Sequence, residues 1–547
     1  MKKASKVFLV TFLTILFVIG LGLGLWLGSK ARTVSNGEHI ITVCTTTDIH
    51  GAYFDGSYDS PDEHNRTSMS KVSTYIKSLR KNGEGPILID VGDALQGDDA
   101  AYYYNYVDTT DEHVFASIAK YLKYDALVVG NHDIEAGPSV YNRMRGTFKD
   151  SYLGANAISI EGPSAGHSYF NPCKIVKRDG LKIAIIGLTN ANIKNWLAED
   201  KWKGLDFVVT SSIMSVLLED VHAVYHPDII ILAMHSGMGR EFPAIENEAC
   251  FVASDNSGIN LVLCGHDHKA ACVVVQDVYG ENVTVMDAGT KAANVGKAVM
   301  HVNVVDHKVT SVTVTHELVS MENIEPDPAF NKKFEKQYKK VFEFANTPVA
   351  EIEDNIYFSE AIDGPSAYIN LIHQVQLKES GADISFAAPL SGASDTVHKG
   401  MLAFKDLTKI YKFENQLFVV KMTGQQIKDY LEFSYDNWIN GTSAPFNYDS
   451  ADGIRYEVDR KAAKGSRINI ISMCDGSAFD FDKTYKVAMT SYRASGGGNL
   501  LRSGAGIAPS DLEIVGKYDD IRSLIGNWFR EQGTVTPSVA TNWKWAD

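Results

Sequence analysis

Five short segments of this chain each close an apolar, strand-like run with residues that bind metals: Asp48-Ile49-His50, Gly92-Asp93, Gly130-Asn131-His132, His235 and Gly265-His266-Asp267-His268. From residue 39 to about 320, strand runs alternate with helical patterns. The strand runs are Ile40 to Thr45, Ile87 to Val91, Ala126 to Val129, Ile183 to Ile186, Ile229 to Ala233, Leu261 to Cys264 and Val283 to Met286. Between the first two, Met69, Val72, Ile76 and Leu79 share one helical face of Ser68 to Arg80. Between the fourth and fifth, Ile213, Val216, Leu217, Val221 and Val224 are similarly placed. Repeated strand-helix units imply a layered α/β domain with largely parallel strands, and the loops leaving the strands' carboxyl ends then form the ligand crevice. Those loops carry the five segments.

The donors are imidazoles, carboxylates and a side-chain carbonyl, with no cysteine among them: Asp48, His50, Asp93, Asn131, His235, His266 and His268. Mixed nitrogen and oxygen donors suit zinc, manganese, iron or cobalt. Seven ligands exceed what one tetrahedral site needs, which implies two adjacent divalent ions sharing a donor. A carboxylate is the natural bridge, because its two oxygens reach both ions and its charge offsets their repulsion; Asp93 is the choice for it. Two ions roughly 3.5 to 4 Å apart can polarise a phosphate and lower the pKa of a bridging water, which supports direct hydrolysis without a covalent enzyme intermediate.

At 547 residues the chain exceeds what one hydrophobic core serves, so two domains and a targeting segment are expected. Its formal charge of -15 argues against a coat for nucleic-acid polymers, which needs lysine and arginine to displace phosphate counterions. Lys2, Lys3 and Lys6 precede 21 uncharged residues from Val7 to Leu27. That length favours an uncleaved signal anchor over a cleaved signal peptide, for which Ser29-Lys30-Ala31 would be a weak cleavage site. Either version places the rest of the chain outside the cytoplasm, since the lysines stay inside. The six cysteines match no zinc or dense disulfide framework, although a bridge involving Cys250 and Cys272 is open to such a protein. Glu325-Pro326-Asp327-Pro328 breaks the chain before a charged helical stretch, Phe330 to Phe344, read as a solvated linker helix. A second α/β unit follows, with a helix near Ser366 to Lys378, another from Gly424 through Leu431, and a turn-rich segment from Ser491 to Asn499. The expected organisation is a signal anchor or peptide (1–36), an α/β domain (37–322), a linker helix (323–350) and a C-terminal α/β domain (351–547).

In this order, Thr47-Asp48-Ile49-His50-Gly51, Gly92-Asp93, Gly130-Asn131-His132-Asp133, His235-Ser236-Gly237 and Gly265-His266-Asp267-His268 resemble the signature of the calcineurin-like metallophosphoesterases, in their periplasmic 5′-nucleotidase branch. The resemblance implies two packed sheets flanked by helices, followed by a nucleotide-binding C-terminal domain. It implies that Asp48, His50, Asp93 and His268 hold one ion, and Asp93, Asn131, His235 and His266 the other. His132 is similar to the family's catalytic histidine, which stabilises charge on the transferred phosphoryl group or the leaving oxygen. The branch often pairs that histidine with an aspartate three residues on; here Glu135 stands there, with a longer arm.

The second half resembles the C-terminal domain of the same branch. Tyr411-Lys412-Phe413-Glu414-Asn415 and Ser491-Tyr492-Arg493-Ala494-Ser495-Gly496-Gly497-Gly498 look like the loops whose aromatics sandwich a nucleobase, which makes Phe413 and Tyr492 the clamp and gives Asn415 a hydrogen bond to the base. In 5′-nucleotidases a glycine-rich stretch ends in an arginine that engages the phosphate end. The corresponding Ser385 to Gly392 lacks it, and Gly498 stands where an aspartate is common. Ala387-Ala388-Pro389, the Tyr411 to Asn415 segment and Tyr492-Arg493-Ala494 instead resemble the bifunctional 2′,3′-cyclic-nucleotide 2′-phosphodiesterase/3′-nucleotidases. The implied substrates are mononucleotides. The competing expectations are a 5′-nucleotidase or UDP-sugar hydrolase on the same fold, a phosphodiesterase of broader specificity, and a non-catalytic surface-binding protein.

Overall fold

The computed structural model describes residues 34–60, 62–64, 66–197, 199–240, 245–390, 395–413 and 415–546. The apolar run from Val7 to Leu27 and the Ser29-Lys30-Ala31 site lie outside the described residues. Among the described residues no helix is long and apolar enough to cross a membrane. The chain forms two compact units, with the boundary at Lys339/Lys340 and Asn195–Ala198 assigned to the second.

Two six-stranded sheets build the first unit. In one, Gly37–Thr46, Ile87–Asp90, Ala126–Val128 and Tyr152–Leu153 run parallel, and Asn294–Val305 and Lys308–Ser320 extend the edge antiparallel. In the other, Leu181–Leu188, Ile229–Met234, Leu261–Cys264 and Asn282–Asp287 run parallel, flanked by antiparallel Cys173–Arg178 and Ala271–Gln276. Both sheets are therefore mixed, with parallel centres. Side chains alternate across a strand, so Ile183 and Ile185 join Ile41, Val43, Ile87 and Ile89 in the core between the sheets. Ala184, Ile186 and Leu188 face the other way, against Ile213, Met214, Leu217 and Val221 of the helix Thr210–Tyr225. Burial on both faces explains why these strands read as unbroken apolar runs.

The helix Met69–Lys81 buries Met69, Val72, Ile76 and Leu79, the face its spacing indicates. The helix Thr210–Tyr225 differs in detail: Val216 and Val224 are exposed, and Met214 and Leu218 complete its buried face. The helix Pro328–Ala345 is not simply solvated, because Phe330 and Phe334 are buried, each with its ring 5.7 Å from that of Tyr121. Its start is anchored: Asp327 accepts from Ala329 N–H at 3.0 Å as an N-cap and from Ser73 Oγ at 2.6 Å, and pairs with Lys77. Lys332, Lys333, Lys336 and Lys339 of this helix are exposed, with Lys333 Nζ 5.8 Å from the Phe334 ring.

The second unit centres on a five-stranded sheet in the order Ser450–Asp452, Ile384–Ala387, Thr484–Thr490, Gln416–Thr423, Ile514–Asp520. Ser366 caps the helix Ala367–Ser380 through Ile369 N–H. The helix from Gly424 continues past Leu431 to Asn440, burying Ile427, Tyr430, Leu431 and Tyr435. All six cysteines are free thiols, so Cys250 and Cys272 form no bridge.

His373, in the helix Ala367–Ser380, is buried between Ser385 Oγ at 2.9 Å and Ser450 Oγ at 3.2 Å. Burial depresses its pKa to about 4. Above pH 6.5 the ring is neutral whether folded or unfolded, so it adds no pH dependence. As pH falls from 6.5 towards 4 the unfolded chain takes up a proton that the folded one does not, and stability declines by up to about 1.4 kcal/mol per pH unit from this residue. Urea midpoints measured over that window should fall less steeply in His373→Gln than in the parent.

Candidate metal centre

Asp48 and Asp93 leave the carboxyl ends of neighbouring parallel strands, and both are fully buried. Each has one oxygen satisfied by the chain. Asp48 Oδ2 accepts from Thr47 Oγ1 at 2.6 Å and from His266 N–H at 3.0 Å. Asp93 Oδ1 accepts from His132 N–H at 2.8 Å. The other oxygens, Asp48 Oδ1 and Asp93 Oδ2, accept no hydrogen bond. They face ring nitrogens instead: Asp48 Oδ1 lies 3.3 Å from His268 Nε2 and 3.8 Å from His50 Nε2, and Asp93 Oδ2 lies 3.0 Å from His235 Nε2.

Those nitrogens are themselves acceptors in neutral imidazoles. His235 Nδ1 donates to Val91 C=O at 2.7 Å, which leaves the lone pair on Nε2, 3.1 Å from Asn131 Oδ1. His50 Nδ1 donates to Gln96 C=O at 3.1 Å, and its Nε2 lies 2.9 Å from His268 Nε2. Lone pairs thus converge on lone pairs in a buried space. A proton or a cation must sit between them. In the ion-free protein burial opposes a charged His235, but Asp93 outweighs it and lifts the ring to about 10. Asp93 is held well below the usual carboxylate range, against its own burial, mainly by His235 and His132. Backbone carbonyls that orient ring nitrogens in this way are the usual support for metal-binding histidines.

The donors fall into two groups, Asp48 with His50 and His268, and Asp93 with His235 and His266. Within each group the ligand atoms lie within 4.8 Å of one another, close enough to share an ion. Asn131 joins the second group through His235. The donor chemistry fits zinc, manganese, cobalt or iron.

Sharp loops make this convergence possible. Asp48, His50, Asp93, His266 and His268 all have positive φ, between 47° and 87°, a conformation uncommon for residues with a side chain and one that clusters at functional sites. Two glycines permit the close approach. A Cβ on Gly130 would lie 2.0 Å from Asp93 Oδ1, and one on Gly265 would lie 2.0 Å from Thr47 Oγ1. Asp133, to which the motif reading assigns no role, accepts backbone N–H from Gly130 at 2.8 Å and from Asp93, Ala94 and Leu95 at 3.1 Å each. It shapes the Asp93 loop. Glu246, also outside the motif reading, has Oε1 3.1 Å from His266 Nε2.

His132 stands beside both groups, its Nε2 4.0 Å from Asp93 Oδ2 and its ring 5.3 Å from that of His50. Its Nδ1 pairs with the Glu135 carboxylate. Burial lowers its pKa, but Asp93 and Glu135 raise it further, to about 9.

In the second unit, Phe413 is partly exposed and Asn415 and Tyr492 are half-buried. Their loops adjoin the same end of two antiparallel strands: Leu417 pairs with Thr490, and Gln416 N–H donates to Ser491 Oγ at 3.1 Å. A Cβ on Gly497 would lie 2.4 Å from the Tyr492 ring, so that ring packs directly on the glycine turn.

Comparison with known proteins adds to this geometry. Residues 41–270 match the calcineurin-like phosphoesterase family, and residues 347–502 match the 5′-nucleotidase C-terminal domain. The trifunctional nucleotide phosphoesterase of Bacillus subtilis is 24% identical over 92% of this chain, which spans only 38% of that longer protein. The 2′,3′-cyclic-nucleotide 2′-phosphodiesterase/3′-nucleotidase of Salmonella typhimurium is 21% identical, covering 94% of this chain and 90% of its own. A solved structure from Staphylococcus aureus, described as a 5′-nucleotidase, has the same fold, with a TM-score of 0.76, 20% identity and coverage of 93% of this chain and 100% of its own.

Metal ligation requires neutral imidazoles, so ions entering this centre must expel the proton that His235 carries without them. Titrating the metal-free protein with Mn²⁺ or Zn²⁺ at pH 7.5 in buffers of different ionisation enthalpy should reveal net proton release. His235→Asn should reduce that release by about one proton.

Proposed function

The chain belongs to the calcineurin-like phosphoesterases that carry a 5′-nucleotidase C-terminal domain, and on that premise we propose that this hydrolase opens 2′,3′-cyclic nucleotides and then cleaves 3′-nucleotides to nucleoside and phosphate. The observation that carries the reaction class is the paired donor groups around Asp48 and Asp93, each with a buried oxygen left for a cation. Similarity over most of both chains to the cyclic-nucleotide phosphodiesterase/3′-nucleotidase supports the substrate class. So does the lack of an arginine in the Ser385 to Gly392 stretch. A phosphate on the 2′ or 3′ oxygen lies nearer the base than a 5′ phosphate, and an arginine reaching beyond the 5′ carbon has less purpose.

In this reading Asp48, His50, Asp93 and His268 would hold one ion, and Asp93, Asn131, His235 and His266 would hold the other. Two such ions, when bound, would supply polarisation of the phosphoryl oxygens and a more acidic water. The protein's own groups do the rest. Glu135 accepts from His132 Nδ1 and fixes the ring, leaving a proton on Nε2 to meet the negative charge that develops on the phosphoryl group or the departing ribose oxygen. Phe413 and Tyr492 stack on the base, at about 1–3 kcal/mol per stacked base, without requiring one particular base. Asn415 hydrogen-bonds its edge. The lysine-flanked apolar run at the N-terminus supports an extracytoplasmic place of action, held to the membrane by an uncleaved anchor.

Residues 37 to 547, supplied with Mn²⁺, Co²⁺ or Zn²⁺, should release phosphate from 3′-AMP and open 2′,3′-cyclic AMP faster than they act on 5′-AMP or a UDP-sugar. Preference for 5′-AMP would replace the substrate class with that of a 5′-nucleotidase, and no turnover of any substrate by the metal-loaded protein would favour a binding protein. His132→Ala should lower kcat by about 10²- to 10⁴-fold with little change in KM, the range for loss of a proton-transferring side chain. Glu135→Gln should cost less, because the ring keeps a hydrogen-bond partner.

A further inference from the structure

The loop that presents Phe413 is braced from the start of a distant helix, and we infer that Arg522 is a positioning residue for nucleobase binding. The inference rests on the reading of Phe413 as a base-stacking side chain. Arg522 is the second residue of the helix Ile521–Gln532 and is only 2% exposed. Its Nε donates to the carbonyl of Tyr411 at 2.9 Å and its Nη2 to that of Lys412 at 2.5 Å. On the far side of Phe413, Ile521 N–H donates to the carbonyl of Asn415 at 2.9 Å. Backbone carbonyls on both sides of Phe413 are therefore tied to one rigid helix end.

This is an expensive place for a cation. Burying a guanidinium is costly, and the positive end of the helix dipole disfavours it further. Packing alone would be served by an apolar side chain. What Arg522 adds is a planar fork that engages two successive carbonyls at once, which lysine reproduces only in part. An exposed aromatic on a braced loop loses less freedom when a base stacks on it, so bracing strengthens binding without adding a contact to the ligand. The partner loop is built on the same plan. Arg493, 4% exposed, grips Asp449 through Nε at 3.0 Å and Nη2 at 2.8 Å, and its Nη1 donates to Gly497 C=O at 3.1 Å, beneath the Tyr492 ring.

The test uses the metal-loaded chain and compares the best nucleotide substrate with glycerol 2-phosphate, which has no base. Arg522→Met should raise KM for the nucleotide roughly 5- to 10-fold with kcat changed less than about twofold, and should lower the nucleotide/glycerol-phosphate ratio of kcat/KM by a similar factor. Arg522→Lys should recover part of the loss, and it carries the test alone should Arg522→Met not fold. In a Phe413→Ala background either substitution should add nothing further to KM. An unchanged nucleotide KM in the Arg522 variants, beside a raised one in Phe413→Ala, would overturn the positioning role and leave the stacking reading intact. A full Arg522 effect in the Phe413→Ala background, or an equal loss on both substrates, would also overturn it. An unchanged KM in Phe413→Ala itself would remove the stacking reading, and the inference with it.

Discussion

Two fully buried carboxylates, each with one oxygen turned towards imidazole lone pairs instead of N–H donors, constrain everything around them. Burying an ionised carboxylate costs several kcal/mol unless it is compensated. Half of that compensation comes from the chain, through Thr47, His266 N–H and His132 N–H. The other half is left for positive charge. At Asp93 a protonated His235 supplies it, and a bound cation would take the place of that proton. The positive-φ turns at five of the donor residues, the glycines at 130 and 265, and the four backbone amides gathered by Asp133 all serve to hold these two oxygens in place.

The same division of labour recurs in the second unit, where the groups proposed to meet the substrate are aromatic and the groups that hold them are buried arginines. Arg493 ties the Tyr492 turn to Asp449 through a bidentate ion pair, and Arg522 ties the Phe413 loop to a helix end. In the proposed reading the metal centre sets what bond is broken, and the aromatic loops hold the base. A metal centre of this kind acts on many phosphoesters, so the substrate class has to be argued from the C-terminal domain.

Much of the first unit was legible because its strands are buried on both faces and read as apolar runs, and because donors placed just beyond strand ends stand out against them. Other parts left weaker traces. The hairpin Asn294–Val305 with Lys308–Ser320 is half-exposed at a sheet edge, so it shows alternation and not an apolar block. The charge of Pro328–Ala345 masked the stripe of Phe330 and Phe334. In Thr210–Tyr225 apolar residues surround the helix, and spacing alone placed Val216 and Val224 on a buried face that Met214 and Leu218 occupy. Asp133 works through backbone amides of another loop, and Arg522 through carbonyls 110 and 111 residues away. Such contacts carry no local spacing and emerge only from the fold.

The donor residues are proposed to form one dinuclear centre in two adjoining halves. Anomalous diffraction from crystals loaded with Mn²⁺ and measured on both sides of the metal edge tests it directly. Two anomalous peaks about 3.5–4 Å apart are expected, one ligated by Asp48, His50 and His268 and the other by Asn131, His235 and His266, with Asp93 reaching both. A single fully occupied peak at saturating metal, or two peaks with Asp93 bound to neither, would contradict it.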